Sequence, residues 1–120
     1  MVIAHSLDEI LYQRNSVVTV GTFDGIHLGH QKILSELLAC KNAAKRRSVV
    51  ISFHPHPREI VGRGPVGLLT TLDERLNLFE TYAVDITLII DFTFEFSRQT
   101  SLEFYERYVV KGTGVMEVIV

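Results

Sequence analysis

The chain has 120 residues, 47% of them hydrophobic and 9% aromatic, with a formal net charge of −2. That length supports one domain with a real core and excludes two, and the near-neutral balance excludes a global pull toward nucleic acid or an anionic membrane, so any bound anion needs a local site. The single cysteine, Cys40, excludes an internal disulfide and fits a reducing compartment.

In chain order, MVIAHSLDEIL carries His, Asp and Glu too early for a signal peptide. His5 reads as solvated. Residues 17–20 (VVTV) are β-branched and stop at Gly21, the pattern of a buried strand. From Leu28 to Arg47 the period becomes helical. Ile33, Leu34, Leu37 and Leu38 mark one face, and Lys32, Glu36 and Lys41 point elsewhere. Lys45, Arg46 and Arg47 are expected in the last turn, where cations suit the negative pole of the helix. Cys40 lies beside the apolar face and reads as an inert packing residue. Residues 48–53 (SVVISF) form a second strand. The next fourteen, 54–67, hold three prolines and three glycines, which argues for a loop.

Thr71, with Glu74 three residues on, is a capping box that opens a helix faced by Leu72, Leu76 and Phe79. Residues 86–90 (ITLII) are a third strand. Phe92, Phe94 and Phe96 alternate with polar residues, the pattern of a short strand or loop packing one side inward, or of an aromatic wall for a flat ring. A second capping box, Thr100 with Glu103, opens a helix carrying Leu102, Tyr105 and Val109, and Gly112 is expected to end it. The tail VMEVIV is a fourth strand. No apolar run reaches the ~18 residues that span a bilayer, and the cytoplasm is the expected location. Strands alternating with helices, apolar on both faces, mean an α/β fold with a parallel sheet covered by helices. The chain stops in or just after a strand with no closing helix, which reads as a domain cut short, and an unpaired edge there would invite a dimer.

The stretch GTFDGIHLGH between the first strand and first helix is where an open parallel sheet binds ligands. Gly21 and Gly25 let the chain turn, and Gly29 clears the first helical turn for another group. Free N–H groups at the positive pole of the helix make an anion site. His27 and His30 are three apart, so on a helix both rings face one phosphate. Attack on a phosphate builds charge on its non-bridging oxygens, and imidazole N–H groups are suitable donors to that charge. The spacing G-x-x-x-G-x-x-x-G is neither the dinucleotide fingerprint nor a P-loop. Two other readings stay open: a plain glycine-rich turn with incidental histidines, and a zinc site drawing on His27, His30, His54 and His56. Against zinc, Pro55 and Pro57 hold the second pair extended, and the spacing matches no common zinc signature. Arg58, Arg63 and Lys111 read as surface charges, with Arg58 the best placed to bind.

Gly21-Thr22-Phe23-Asp24-Gly25-Ile26-His27-Leu28-Gly29-His30 resembles the G-x-F-D-G-x-H-x-G-H signature of the HxGH nucleotidylyltransferases. Phe53-His54-Pro55-His56-Pro57 is similar to the F-x-P-H-P of one branch, the bacterial bifunctional riboflavin kinase/FMN adenylyltransferases, or FAD synthetases. Leu69-Thr70, Asp85 and the run from Phe92 to Phe104 fit the same branch, so the resemblance covers nearly the whole chain. It implies a Rossmann-like (HUP-type) sheet, incomplete at the C-terminus, as an adenylyltransferase domain over 1–120 that lacks the riboflavin kinase domain. It implies transfer of AMP from ATP to FMN, with Mg²⁺, giving FAD and pyrophosphate. His27 and His30 would stabilise the transferring phosphate. Gly21, Thr22, Phe23, Asp24 and Gly29 would line the nucleotide site, and His54, Pro55, His56, Pro57 and Arg58 would belong to a mobile flavin loop. The family continues into a G-x-D-F-x-F-G-like segment and an I-S-S-T-x-I-R motif that do not occur here, so weak nucleotide binding and poor or no turnover are expected of this piece alone. The rivals are a cytidylyltransferase of the same superfamily and a non-catalytic nucleotide- or metal-binding module.

Overall fold

The computed structural model describes residues 1–23, 28–54 and 71–119. Among these are five strands, β1 (Val2–Ala4), β2 (Ser16–Val20), β3 (Arg47–His54), β4 (Ile86–Asp91) and β5 (Val115–Ile119). All pair in parallel, in the order β1-β4-β3-β2-β5. Helix α1 (Leu28–Ala44) joins β2 to β3, and α2 (Leu72–Thr81) precedes β4. Two short helices, α3 (Phe94–Ser97) and α4 (Ser101–Phe104), follow β4, and α4 widens into a π-helical stretch over Tyr105–Lys111. The expected α/β Rossmann-like parallel sheet is present. Strand β1 was not expected; three residues at a sheet edge give too short a pattern to read.

Alternation along the strands splits the core in two. Val18, Val49, Ile51, Leu88 and Val109 pack on one face, and Val17, Leu34, Leu37, Val50 and Phe79 on the other. A strand with apolar residues at successive positions must be covered on both faces, and these are. Connections out of β2 and β3 step toward β4, whereas the connection out of β4 returns to the far side of β2. The strand order therefore reverses beside β2, and a crevice opens outside its carboxyl end.

Several boundaries differ from expectation. Helix α1 stops at Ala44, so Lys45, Arg46 and Arg47 are outside it. Lys45 takes a left-handed backbone (φ 51°) and the Arg46 N–H reaches back to the Lys41 carbonyl at 2.9 Å. This is the Schellman ending, normally signalled by glycine, with a lysine in glycine's place. Helix α2 ends the same way at Ala83 (φ 55°), where the Val84 N–H donates to the Phe79 carbonyl. Arg47 instead begins β3, and His54, expected in the loop, ends it opposite Asp91. The rest of the breaker-rich segment lies outside the described residues.

The Thr71–Glu74 capping box is formed in both directions, whereas Thr100 caps α4 without the reciprocal backbone bond from Glu103. Leu102 and Tyr105 do not face the core; they are 66% and 43% exposed. Val109 is buried as expected, and Phe104 and Tyr108 pack inward beside it in place of Leu102 and Tyr105. Gly112 does not end this helix. The turn comes at Gly114, whose φ is +83° and where a Cβ would lie 2.3 Å from the Gln13 carbonyl oxygen.

Asp85, just ahead of β4, lies at the amino ends of the strands. Its carboxylate accepts from the Ser48 N–H and from Lys41 Nζ, each at 2.9 Å. Burial alone would raise its pKa, but the Ser48 N–H and the Lys41 ammonium outweigh that and hold it below the ordinary 3.8. A depressed carboxylate stabilises the fold above its unfolded value and loses that contribution as pH falls through the folded one. The effect is moderated because the side chain is 38% exposed. As pH falls below the ordinary carboxylate value of 3.8, the wild-type Tm is expected to fall more steeply than that of D85N; parallel curves in thermal melts would refute this role. Cys40 is half-buried against the core, and burial, then the Glu117 carboxylate, pushes its thiol up. An inert packing role fits both facts. Among the described residues no helix is long and apolar enough to cross a membrane.

Candidate active site

Strand β2 delivers Gly21, Thr22 and Phe23 to the crevice at the point of strand-order reversal. Gly21 was expected to let the chain turn sharply. Its backbone is not left-handed; among the described residues that region is entered by Phe23, Lys45, Ala83 and Gly114. What favours glycine is the Phe23 ring, which folds back so that a Cβ on Gly21 would lie a tight 3.0 Å from its Cε2. Phe23 itself carries the strain, with φ 55°, a conformation that costs a bulky residue on the order of 1–3 kcal/mol. Packing holds it there. The ring is 3% exposed, meets Phe79 edge-on at 5.3 Å and tilts against His30 at 5.2 Å.

Helix α1 then begins. Gly29 and His30 are in its first turn, Gly29 exposed and His30 half-buried. That turn contains no acidic residue, so the positive pole of a seventeen-residue helix is not neutralised by its own side chains. His54, at the carboxyl end of β3, is exposed. Strands β2 and β3 are neighbours in register, so the sheet brings Gly21, Thr22, Phe23, Gly29, His30 and His54 to one end. Asp24, Gly25, His27, Pro55, His56, Pro57 and Arg58 lie outside the described residues. No group of three or more His, Cys, Asp or Glu among the described residues is placed to hold a metal ion.

Beside this crevice, on the face away from α1, is a cavity of about 420 Å³ lined by Val20, Phe53, Phe92, Phe96, Phe104 and Val118 among others. Phe53 meets Phe92 edge-on at 5.6 Å, and Phe92 meets Phe96 at 5.3 Å. Of the three alternating phenylalanines, Phe92 and Phe96 face this space, whereas Phe94 is 63% exposed. Phe92 immediately follows β4 and Phe96 is on α3, so they are not on one short strand. Val20 immediately precedes Gly21 and Phe53 immediately precedes His54, so the cavity and the glycine-histidine loop share the ends of the same two strands.

Arg75 was not singled out in the sequence. It is 4% exposed, and its Nη1 donates to the Thr22 carbonyl at 2.7 Å, the Phe53 carbonyl at 3.2 Å and Ser52 Oγ at 3.3 Å. The available signal was its place inside the stripe of Leu72, Leu76 and Phe79, four residues before Phe79. A charged residue within an apolar stripe is buried with partners or does not belong there.

Comparison with known proteins decides the family. The family description "FAD synthetase" matches residues 9–120. The chain belongs to the FAD synthetase family. Its relatives include the bifunctional riboflavin kinase/FMN adenylyltransferase of Bacillus subtilis, 32% identical over 112 residues, covering 89% of this chain and 34% of that protein. The namesake from Buchnera aphidicola subsp. Schizaphis graminum is 32% identical and covers 97% of this chain and 37% of that protein. The Escherichia coli K12 protein of that name is 31% identical, over 86% of this chain and 33% of that protein. The chain thus spans about a third of the length of the relatives it matches. A solved structure titled as a macrolide-efflux protein from Streptococcus pneumoniae superposes with a TM-score of 0.82, over 98% of this chain and 46% of that one, at 24% identity. That likeness is one of fold.

Proposed function

We propose that this FAD synthetase chain transfers AMP from ATP to FMN. A phosphate oxygen of FMN attacks the α-phosphorus of ATP. The new P–O bond forms as the bond from the α-phosphorus to the bridging oxygen breaks, and pyrophosphate leaves with that electron pair. His30, together with His27, donates N–H groups to the non-bridging oxygens as charge builds on them, beside the positive pole of α1. The backbone of Gly21, Thr22 and Phe23, with Asp24 and the bare edge at Gly29, lines the nucleotide side. No covalent bond to the protein is needed.

The observation that carries this reading is the aromatic cavity opening at the same strand ends as the glycine-histidine loop. A flat tricyclic flavin matches a space of about 420 Å³ walled by Phe53, Phe92, Phe96 and Phe104. His54, with Pro55, His56, Pro57 and Arg58, then closes the flavin side. The described residues offer no acidic cluster, so they do not fit a protein cage for Mg²⁺, and the ion belongs with the triphosphate as part of the substrate. On this reading the protein works in the cytoplasm.

The test is incubation of the purified full-length protein that carries this chain with ATP, FMN and Mg²⁺, with FAD and pyrophosphate quantified, and a parallel FMN fluorescence titration of wild type and F96A. FAD formation, and FMN binding weakened about tenfold or more by F96A, are expected. CTP used in preference to ATP would move the protein to the cytidylyltransferases, and nucleotide binding without product would leave a sensor.

A further inference from the structure

Arg75 is on α2, yet it reaches the two segments that the proposed chemistry uses. One guanidinium nitrogen, Nη1, meets the carbonyl of Thr22 and the carbonyl of Phe53. The hydroxyl of Ser52 stands between them, accepting from Nη1 at 3.3 Å and donating to the Thr22 carbonyl at 3.2 Å. Thr22 immediately precedes the left-handed Phe23. Phe53 immediately precedes His54. Thr22 is two residues past the end of β2, and Phe53 is the next-to-last residue of β3.

A carbonyl pinned on one side fixes the whole planar peptide, because the following N–H must point the opposite way. The Thr22 carbonyl has two donors, so the Thr22–Phe23 peptide has one orientation, and with it the left-handed turn that presents Phe23 to His30. The Phe53 carbonyl fixes the Phe53–His54 peptide in the same manner. Burying a guanidinium is expensive, and an apolar residue would serve packing alone as well or better. A single long, permanently charged donor that spans two strand ends does what an apolar residue cannot.

We infer that Arg75 is a positioning residue for AMP transfer: its buried guanidinium, with Ser52, locks the peptides before Phe23 and His54 and so sets these two residues in register with each other. This rests on the functional reading above. A clamp of this kind acts on alignment of the two substrates, so its loss lowers kcat in protein that is still folded, as small misplacements of reacting groups do.

The experiment compares FAD formation by wild type, R75Q and R75K, with Tm measured on the same samples and assays run well below the lowest Tm. R75Q is expected to lose about tenfold or more in kcat per folded molecule, with smaller changes in KM for ATP and FMN. R75K is expected to restore part of the loss, because one nitrogen makes all three contacts. A lowered Tm with kcat within about threefold of wild type would mean packing only and would overturn the inference. Should R75Q fail to fold, S52A takes its place, since it removes the shared hydroxyl and leaves the charge. Its kcat should fall about threefold or more, and a smaller change overturns the clamp. If wild type forms no FAD, the functional reading fails, and amide hydrogen exchange reads the clamp by itself. The Phe23 and His54 amides should exchange faster together in R75Q or, where R75Q does not fold, in S52A, and unchanged exchange overturns it.

Discussion

An H30A protein is expected to form FAD about 10²–10³-fold more slowly than wild type. His30 sits in the first turn of α1, half-buried, beside the Phe23 ring. A donor aimed at charge that develops during transfer contributes to the transition state and little to substrate binding, so the loss belongs in kcat with KM for ATP nearly unchanged. Its fold should survive, because His30 is half-buried and belongs to neither core cluster. Steady-state rates by chromatographic detection of FAD, with Tm on the same preparation, check both halves. A kcat within about threefold of wild type would remove His30 from the chemistry.

The second large effect is on the fold. Phe79 is fully buried, among the largest side chains of the core between α1, α2 and the sheet. Phe79→Ala is expected to cost about 3–5 kcal/mol, from lost burial and the cavity left behind. For a domain of this size that is a fall in Tm of roughly 10–25 °C. The damage should not stop at stability. Phe23 is held in its left-handed conformation by edge-on packing at 5.3 Å against Phe79, and without that support a strained residue relaxes. Activity per folded molecule should therefore fall in F79A, while F79L, which keeps most of the volume, should retain more of both. Chemical denaturation paired with kinetics at low temperature tests this. Lost stability with unchanged kcat would separate the core from the site.

Helix α2 shows where sequence patterning succeeds and where it stops. Thr71 and Glu74 announced its start because a cap is a local bond between residues three apart. Its end was not announced, because Ala83 takes a conformation that only glycine advertises. Arg75 on the same helix drew no reading from the sequence, since its partners are 53 and 22 residues away. The alternating phenylalanines left a short strand, a loop or an aromatic wall open; Phe96 is on a short helix and, with Phe92, lines the cavity.

The sequence by itself determined the parallel α/β sheet, the crevice end of its strands and the loop that gathers glycine and histidine there. These follow from period, caps and local spacing, which are properties of neighbouring residues. Only the tertiary structure decided that Gly21 makes room for a ring, that Phe23 is the strained residue, that four phenylalanines from separate elements enclose one cavity and that Arg75 ties two strand ends together. Each depends on a contact between segments distant in the chain, and such contacts exist only after the sheet has chosen its strand order.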